Sequence, residues 1–589
     1  MTNSRNIIMN IEHEKDKPAG TLSPEASHLE RSGGQEDNLV YDDPEGEPEL
    51  HVRTYAAVAA MFLLNLVQVF ALQGPPVVLS YIGKDLNATA SDTWVPNALS
   101  LVQAVLAPVI SSASDAFQAR KMILIGTCLV SFVGAVIAPG ANSIGRLISA
   151  QTLIGVGFAA VPLAYTVPSE ILPRRWRPMV QGSMNVAASL GACTAPLVIG
   201  GFTRSDPEGW RKFYWVQMAL WGATAAGILV GYRPPKRHTR LDHLSIWQKV
   251  GHLDLAGMGL LTTGLTLLLV GLNLGGSLYA WTNVRVLATL ILGILVLISF
   301  AFYEWKGTKT GIIHHELFRN NEYARTFAIC VTLIFIEAIL LFSYIIFYPV
   351  LTTNLFTEDP FLLAARAQPF WIVCGLSTMF YGTVSTKLRS IRLPMLFGFL
   401  IFTGGIVGLS TIEPNDSTSA VVFAGLAGLG FGAPLVLVIS GVQLSTPHHF
   451  IATATAITTS VRAVGATTFT AIFSAALTTR LDKHIPNYIA EAAVEAGLPP
   501  ASVFALISAL TSNNATATAA VPGVSPAVLA ASGAAIKQAF ADGLRVVYII
   551  AAPFGVVACI LCFFFNDLSP VMNYRVDAPV EDLRTKGHH

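Results

Sequence analysis

Residues 99–138 read LSLVQAVLAPVISSASDAFQARKMILIGTCLVSFVGAVIA. Two apolar runs flank a short polar link that holds Asp115, Arg120 and Lys121. Each run approaches the ~20 residues that a helix needs to cross a ~30 Å hydrocarbon core. Neither alternates with period two, so barrel strands are excluded and each run is a helix that satisfies its own backbone. Working outward from this hairpin gives fourteen such runs, near 55–73, 94–114, 122–138, 144–167, 179–202, 213–231, 253–273, 284–303, 326–350, 361–385, 393–412, 418–442, 453–478 and 546–566. The chain is expected to be an all-α integral membrane protein with fourteen transmembrane helices.

Composition points the same way. Only 12% of the 589 residues are charged, against ~25% in soluble domains. Sixteen of those charges, twelve of them acidic, lie in the first fifty residues, so the remainder is poorer still. A soluble catalyst needs more polar surface than this. A net charge of +1 offers no field for a polyanion, so no nucleic-acid partner is expected. Cys128, Cys193, Cys330, Cys374, Cys559 and Cys562 all fall inside apolar runs and read as small core hydrophobes. Residues 1–50 lack an apolar h-region and read as a disordered acidic tail, not a signal peptide.

Orientation follows from the links. With the N-terminal tail in the cytosol, inside connections carry 20 Lys and Arg and outside ones 8. Arg146 and Arg285, just within the outer ends of their spans, raise the second figure to about ten, and the bias stays near two to one. Both termini are expected in the cytosol. The sequons at Asn87, Asn415 and Asn514 all fall in expected outside loops. The runs divide into an N-terminal six-helix bundle (51–232), a linker with two inserted helices (233–325) and a C-terminal six-helix bundle (326–568). A cytosolic tail (569–589) follows. Within the second bundle, 479–545 is Ala-rich and mildly apolar, and reads as a long extracellular loop of short amphipathic helices.

Six helices, an insert and six helices match two pseudo-symmetric bundles that rock about a central site. The link Ser111–Lys121 resembles the major facilitator signature Gly-x-x-x-Asp-Arg-x-Gly-Arg-Arg/Lys: Asp115 and Arg120 match, while Ser111, Ala116, Gln118 and Ala119 depart. An acid beside cations at a helix end can latch two bundles; a plain basic loop is the alternative. Glu170 followed by Arg174, Arg175 and Arg177 resembles the superfamily's gate after span four. Gly191-Ala-Cys-Thr-Ala195-Pro196-Leu-Val-Ile199-Gly200 resembles the antiporter motif of span five, where small residues and a proline shape helix packing. Trp210-Arg211-Lys212-Phe213-Tyr214 is similar to the start of span six in fourteen-span drug exporters. Together these stretches resemble the fourteen-span drug:proton antiporters of the major facilitator superfamily, and within them the fungal trichothecene efflux pump family. The resemblance implies the major facilitator fold, an inner gate of Asp115, Arg120, Lys121, Glu170 and Arg174, and proton-coupled transport. Members often carry Arg where Gln151 stands, at a position tied to coupling.

Ionisable residues inside spans are costly and mark function by default. Glu337 in span nine is a candidate to carry a coupling proton or to meet a cationic substrate group; a structural carboxyl is the alternative. Arg462 in span thirteen balances Glu337, contacts an anionic group, or snorkels to the helix end. Arg366, near the outer end of span ten, reads as snorkelling. Asn65, Gln68 and Gln73 fall on one side of span one. With Gln103, Gln151 and Asn185 they line a cavity of neutral hydrogen-bonding groups or serve as interhelical glue. An uncharged polar lining among aliphatic and aromatic residues suits an amphiphilic organic molecule.

The expected function is proton-coupled efflux of a hydrophobic or amphiphilic secondary metabolite or toxin by alternating access. The alternatives are a ferric-siderophore importer of the same fold and a non-transporting membrane sensor. No phosphate-binding Gly-x-x-x-x-Gly-Lys-Ser/Thr loop is present in the sequence, so a gradient is the expected energy source and no cofactor is expected. An enzyme is not expected: His314-His315-Glu316 and His448-His449 are isolated groups without a further ligand, and no metal site is expected. The expected partners are a small-molecule substrate, protons and the lipid bilayer. A plasma-membrane monomer is the default, with a vesicular or vacuolar membrane as the alternative.

Overall fold

The computed structural model describes residues 41–586 except 89–90, 236–252, 276–278, 309–323, 358, 512–515, 517 and 519. Residues 1–40, the sequon Asn514 and the group His314, His315 and Glu316 lie outside the described residues. The described chain is helical, with only isolated β-bridges among the described residues. The first bundle contains α1 (Val52–Gln73), a short α2 (Leu79–Asp85), α3 (Trp94–Phe117), α4 (Arg120–Ile137), α5 (Ile144–Phe158), α6 (Val161–Ile171), α7 (Arg177–Ser205) and α8 (Trp210–Gly231). The insert supplies α9 (Leu255–Leu274) and α10 (Val284–Phe302). The second bundle contains α11 (Ala324–Leu355), α12 (Pro360–Leu388), α13 (Arg392–Leu409), α14 (Ser417–Ser445), α15 (Ile451–Glu495), α16 (Val503–Thr511) and α17 (Pro526–Cys562).

Thirteen segments are long and apolar enough to cross a membrane, with α5 and α6 counted as one. The fourteenth expected span, α12, forms a 29-residue helix but is less apolar, because it carries Arg366, Gln368 and several hydroxyls. It packs against α7 of the first bundle and α14 of the second. A helix buried against protein on two sides needs less lipid-compatible surface than one bathed in lipid. Two separate apolar clusters hold the bundles together, one around Met61, Phe213, Tyr214 and Trp221, the other around Phe370, Phe399, Phe431 and Tyr548.

Three expectations are corrected. Span thirteen does not end near 478: α15 runs 45 residues to Glu495, about 68 Å at 1.5 Å per residue. Its far end packs with α16 and the start of α17 around Ile489, Leu498, Leu506 and Val528. The segment 479–545 is thus a helical hairpin with its own small core. Mild hydropathy concealed it, since alanine-rich helices that pack on each other need few large apolar residues. Residues 41–50 are not a free tail either. Tyr41 pairs with Val576 and Pro48 with Thr585, and Glu581 accepts hydrogen bonds from the His51 amide at 2.9 Å and from Thr54. Span four is two helices, with Pro162 in the first turn of the second; the second half carries Glu170 in its last turn, buried to 1% exposure and not in a loop.

Candidate functional site

The ends of the helices that carry the basic links form one face of the molecule, and there the bundles are latched together. Arg120 bonds Asp115 at 3.0 Å, Ser114 Oγ at 3.3 Å, and Glu170. The other oxygen of Asp115 reaches across to α15, accepting from the Thr453 amide and hydroxyl at 2.8 Å each. The first turn of α15 has no side-chain cap of its own, so an acid of the first bundle caps a helix of the second. Such a cap contributes about 1 kcal/mol. Arg177 donates to the carbonyl of Gln443 in α14 at 2.6 Å. The Gln443 side chain accepts from Ser169 at 2.8 Å and Gln181 at 3.1 Å.

The C-terminal tail is strapped over this latch. Asp577 accepts from Arg174 and, at 2.6 Å, from Arg177; the amides of Arg174 and Ala578 bond the carbonyls of Arg575 and Glu170 at 3.0 and 2.9 Å. Arg174 therefore belongs to the strap and not to the cluster of Asp115, Arg120 and Glu170. Burial alone would raise the Asp577 carboxyl, but Arg177 and Arg174, helped by His448, hold it below its ordinary value. Stability from a lowered carboxylate is present above its unfolded pKa and lost as pH falls through the folded one. The strap should therefore stay docked above the ordinary carboxylate value of 3.8 and loosen as pH falls below it. In Asp577→Asn it should loosen at neutral pH, read as faster carboxypeptidase trimming; equal trimming of both proteins would remove Asp577 from the latch.

Above the latch lies a cavity of about 1160 Å³ between the bundles, which extends to Thr93, Trp281 and Thr479 at the opposite face. Asn65, Gln68, Gln73, Gln103 and Asn185 line it, as do Phe158, Tyr165, Trp371 and Phe431. Gln151 does not: it donates to Tyr214 at 2.9 Å inside the first bundle and acts as packing glue there. A threonine stripe on α15, including Thr455, Thr458, Thr467 and Thr470, also lines the cavity. Sequence reading passed over it because threonine in a helix resembles ordinary small-residue packing. The signal was the i, i+3 spacing within each pair, Thr455 with Thr458 and Thr467 with Thr470. The insert also contributes, through Leu269, Leu272 and Asn273 of α9.

Arg462 is the one charged residue on the described wall. Its Nε donates to Glu337 Oε2 at 2.9 Å. Glu337 is fully buried behind it, and its Oε1 has no partner. Lys121 lies apart from the latch, donating to the carbonyl of Leu229 at 2.7 Å at the end of α8. Arg366 ties α12 to the start of α14, donating to the carbonyl and hydroxyl oxygens of Ser417 at 2.8 and 2.9 Å. Asn87 and Asn415 are exposed on the face opposite the basic links.

The span-five motif divides. A Cβ on Gly191 would meet the Leu66 carbonyl at 2.5 Å and the Phe70 amide at 2.9 Å, whereas one on Gly200 meets nothing within 4 Å. Pro196 lies inside α7 between them. Gly191 thus lets α7 touch the backbone of α1. Gly191→Ala should cost about 1–3 kcal/mol by overpacking, and Gly200→Ala should be neutral or gain up to about 1 kcal/mol of helix propensity. Thermal unfolding of the two purified variants checks the contrast.

Comparison with known proteins agrees with this geometry. The family of fungal trichothecene efflux pumps matches residues 42–588. The trichothecene efflux pump of Fusarium sporotrichioides is 22% identical over 91% of this chain and 90% of its own length. The transporter of the acurin A biosynthesis cluster of Aspergillus aculeatus is 25% identical over 89% and 91%. Among solved structures, the proton:xylose symporter XylE superposes with a TM-score of 0.53 at 11% identity, covering 88% of this chain and 98% of that one, which bears on the fold alone. A cavity between two latched helical bundles and a family match over nearly the whole chain lead to one conclusion: this chain belongs to the fungal trichothecene efflux pump family, and is a multi-pass membrane transporter of the major facilitator superfamily, not an enzyme.

Proposed function

We propose that this transporter exports an amphiphilic secondary metabolite or toxin across the plasma membrane by proton-coupled alternating access. The observation that carries the reading is the cavity of about 1160 Å³ that is shut at one face by bonds crossing between the bundles and extends to the other face. With the basic face in the cytosol, this is the state closed to the cytosol. Rocking must break the Asp115–Thr453 and Arg177–Gln443 bonds before the cavity can admit a cytosolic molecule. Amides, hydroxyls and aromatic rings suit a molecule with scattered acceptors on an apolar body. Glu337 is the coupling acid: its free Oε1 takes a proton without breaking the bond that Oε2 makes with Arg462. One chain holds the whole cavity, which supports function as a monomer. Relatives named as efflux pumps support the outward direction.

The test is a metabolite balance in a strain lacking the protein, comparing cells with medium and including growth under iron limitation. Retention of a self-made compound in cells, with raised sensitivity to it, is expected. Unchanged secretion with collapsed ferric-siderophore uptake would overturn the outward direction.

A further inference from the structure

Two seams run between the bundles. At one, α3 and α15 meet, and the insert helix α9 packs over both. At the other, α7 and α12 meet with no described helix over them. There the two backbones nearly touch: a Cβ on Gly182 would meet the Thr378 carbonyl at 2.7 Å, and one on Gly382 the Pro178 carbonyl at 2.5 Å. Beside this contact, facing outward, lies a groove of about 770 Å³. Its walls include Leu190, Ile372, Leu376 and Phe380, from 46% to 72% exposed. No acidic residue lines it, and at its end on the basic face stands Lys387, which joins no ion pair among the described residues. Arg389 and Arg392 follow in the same link. At the other end Ser189 and Trp371 separate the groove from the central cavity, since both residues line both spaces.

We propose that this groove binds one acyl chain of an anionic phospholipid, with the head group on Lys387 and the chain running along α12 toward Trp371. Length fits: the 15 residue steps from Ile372 to Lys387 rise about 22 Å, more than the ~15 Å that one leaflet contributes to the core. Chemistry fits as well, because a nearly wholly apolar wall offers a polar solute nothing, while a cation at the membrane surface favours an anionic head group roughly fivefold. The lipid covers the seam that the insert leaves open, as α9 covers the other. It sits where α7 and α12 must shift when the bundles rock, and so tunes the exchange between states. Which leaflet supplies the lipid rests on the basic face being cytosolic; the binding itself does not.

The test uses the full chain purified in mild detergent, with co-purified lipid identified by native mass spectrometry and then titrated with phosphatidylserine or phosphatidylcholine. Wild type is expected to retain one anionic phospholipid and to prefer phosphatidylserine. Lys387→Gln should weaken that preference roughly fivefold, and Leu376→Trp, which fills the groove, should abolish retention. Both side chains are exposed, so both variants should fold, with unchanged thermal unfolding in lipid-free detergent as the control. Equal retention of the two lipids by wild type, or unchanged retention in both variants, would overturn the proposal. So would loss of flux in Leu376→Trp with lipid still bound, because the groove would then serve the substrate. Lipid retention is read without transport, so its failure and a failure of the export reading are distinguishable.

Discussion

Arg120→Ala is expected to lower stability by about 3–5 kcal/mol. Arg120 is 4% exposed and lies between Asp115 and Glu170, at 7% and 2%. The cost does not come from losing a favourable attraction, since much of that attraction only offsets desolvation. It comes from stranding two carboxylates in a dry site with no counter-charge between them. Lys121→Ala, one residue on, should change stability by no more than about 0.5 kcal/mol, because its amine rests on a helix-end carbonyl. Adding Glu170→Gln to Arg120→Ala removes one stranded charge and should restore part of the loss, with a coupling of roughly 0.5–3 kcal/mol in a double-mutant cycle. Arg120→Lys should recover part of the loss, because a single nitrogen, Nη2, reaches both acids and an ammonium can donate to two partners, while the Nη1 bond to Ser114 is lost. Denaturation midpoints of the purified proteins settle the matter. Equal midpoints for Arg120→Ala and Lys121→Ala would remove Arg120 from the latch.

This contrast shows what a sequence discloses about such a site. Asp115, Arg120 and Glu170 were legible because charge is rare in this chain, and charge at the end of an apolar run must be satisfied locally. Lys121 looked equivalent by the same rule, yet a side chain one residue along a helix points about 100° away. The partners that complete the latch were not legible. Asp577 sits 400 residues from Arg177 in a tail whose composition resembles any solvated segment. Gln443 and Thr453 are neutral residues near helix ends, where hydroxyls and amides are common. Only the fold brings them to the basic face. Spans one to twelve lie close to their expected bounds, with span four broken at Pro162 and span ten only partly apolar; for the rest, lipid forces each to declare itself in apolar length. Segment 479–545 was legible as helical, but not as a long hairpin made by the far end of α15 and the start of α17, because outside the hydrocarbon no such constraint on length acts.

The pairing of Glu337 with Arg462 across α11 and α15 is the part of the site on which energy coupling should turn. Glu337→Gln keeps the shape and can still accept from Arg462 Nε, but it cannot carry a proton. The guanidinium left without a counter-charge lines the cavity and is 26% exposed, so water can solvate it and folding should survive. Arg462→Ala is the harsher change. It strands a carboxylate with no exposure at all, at a cost of about 3–5 kcal/mol. In vesicles holding the purified protein, a gradient of one pH unit should drive about tenfold accumulation of the exported compound per proton exchanged. Glu337→Gln should bring that ratio to one, while counterflow of labelled against unlabelled compound continues, because exchange requires rocking but no proton. Loss of counterflow as well would make Glu337 part of the binding site or the scaffold. Retention of full accumulation would move the coupling proton to another group. Only loss of the gradient response with exchange intact assigns the proton to Glu337.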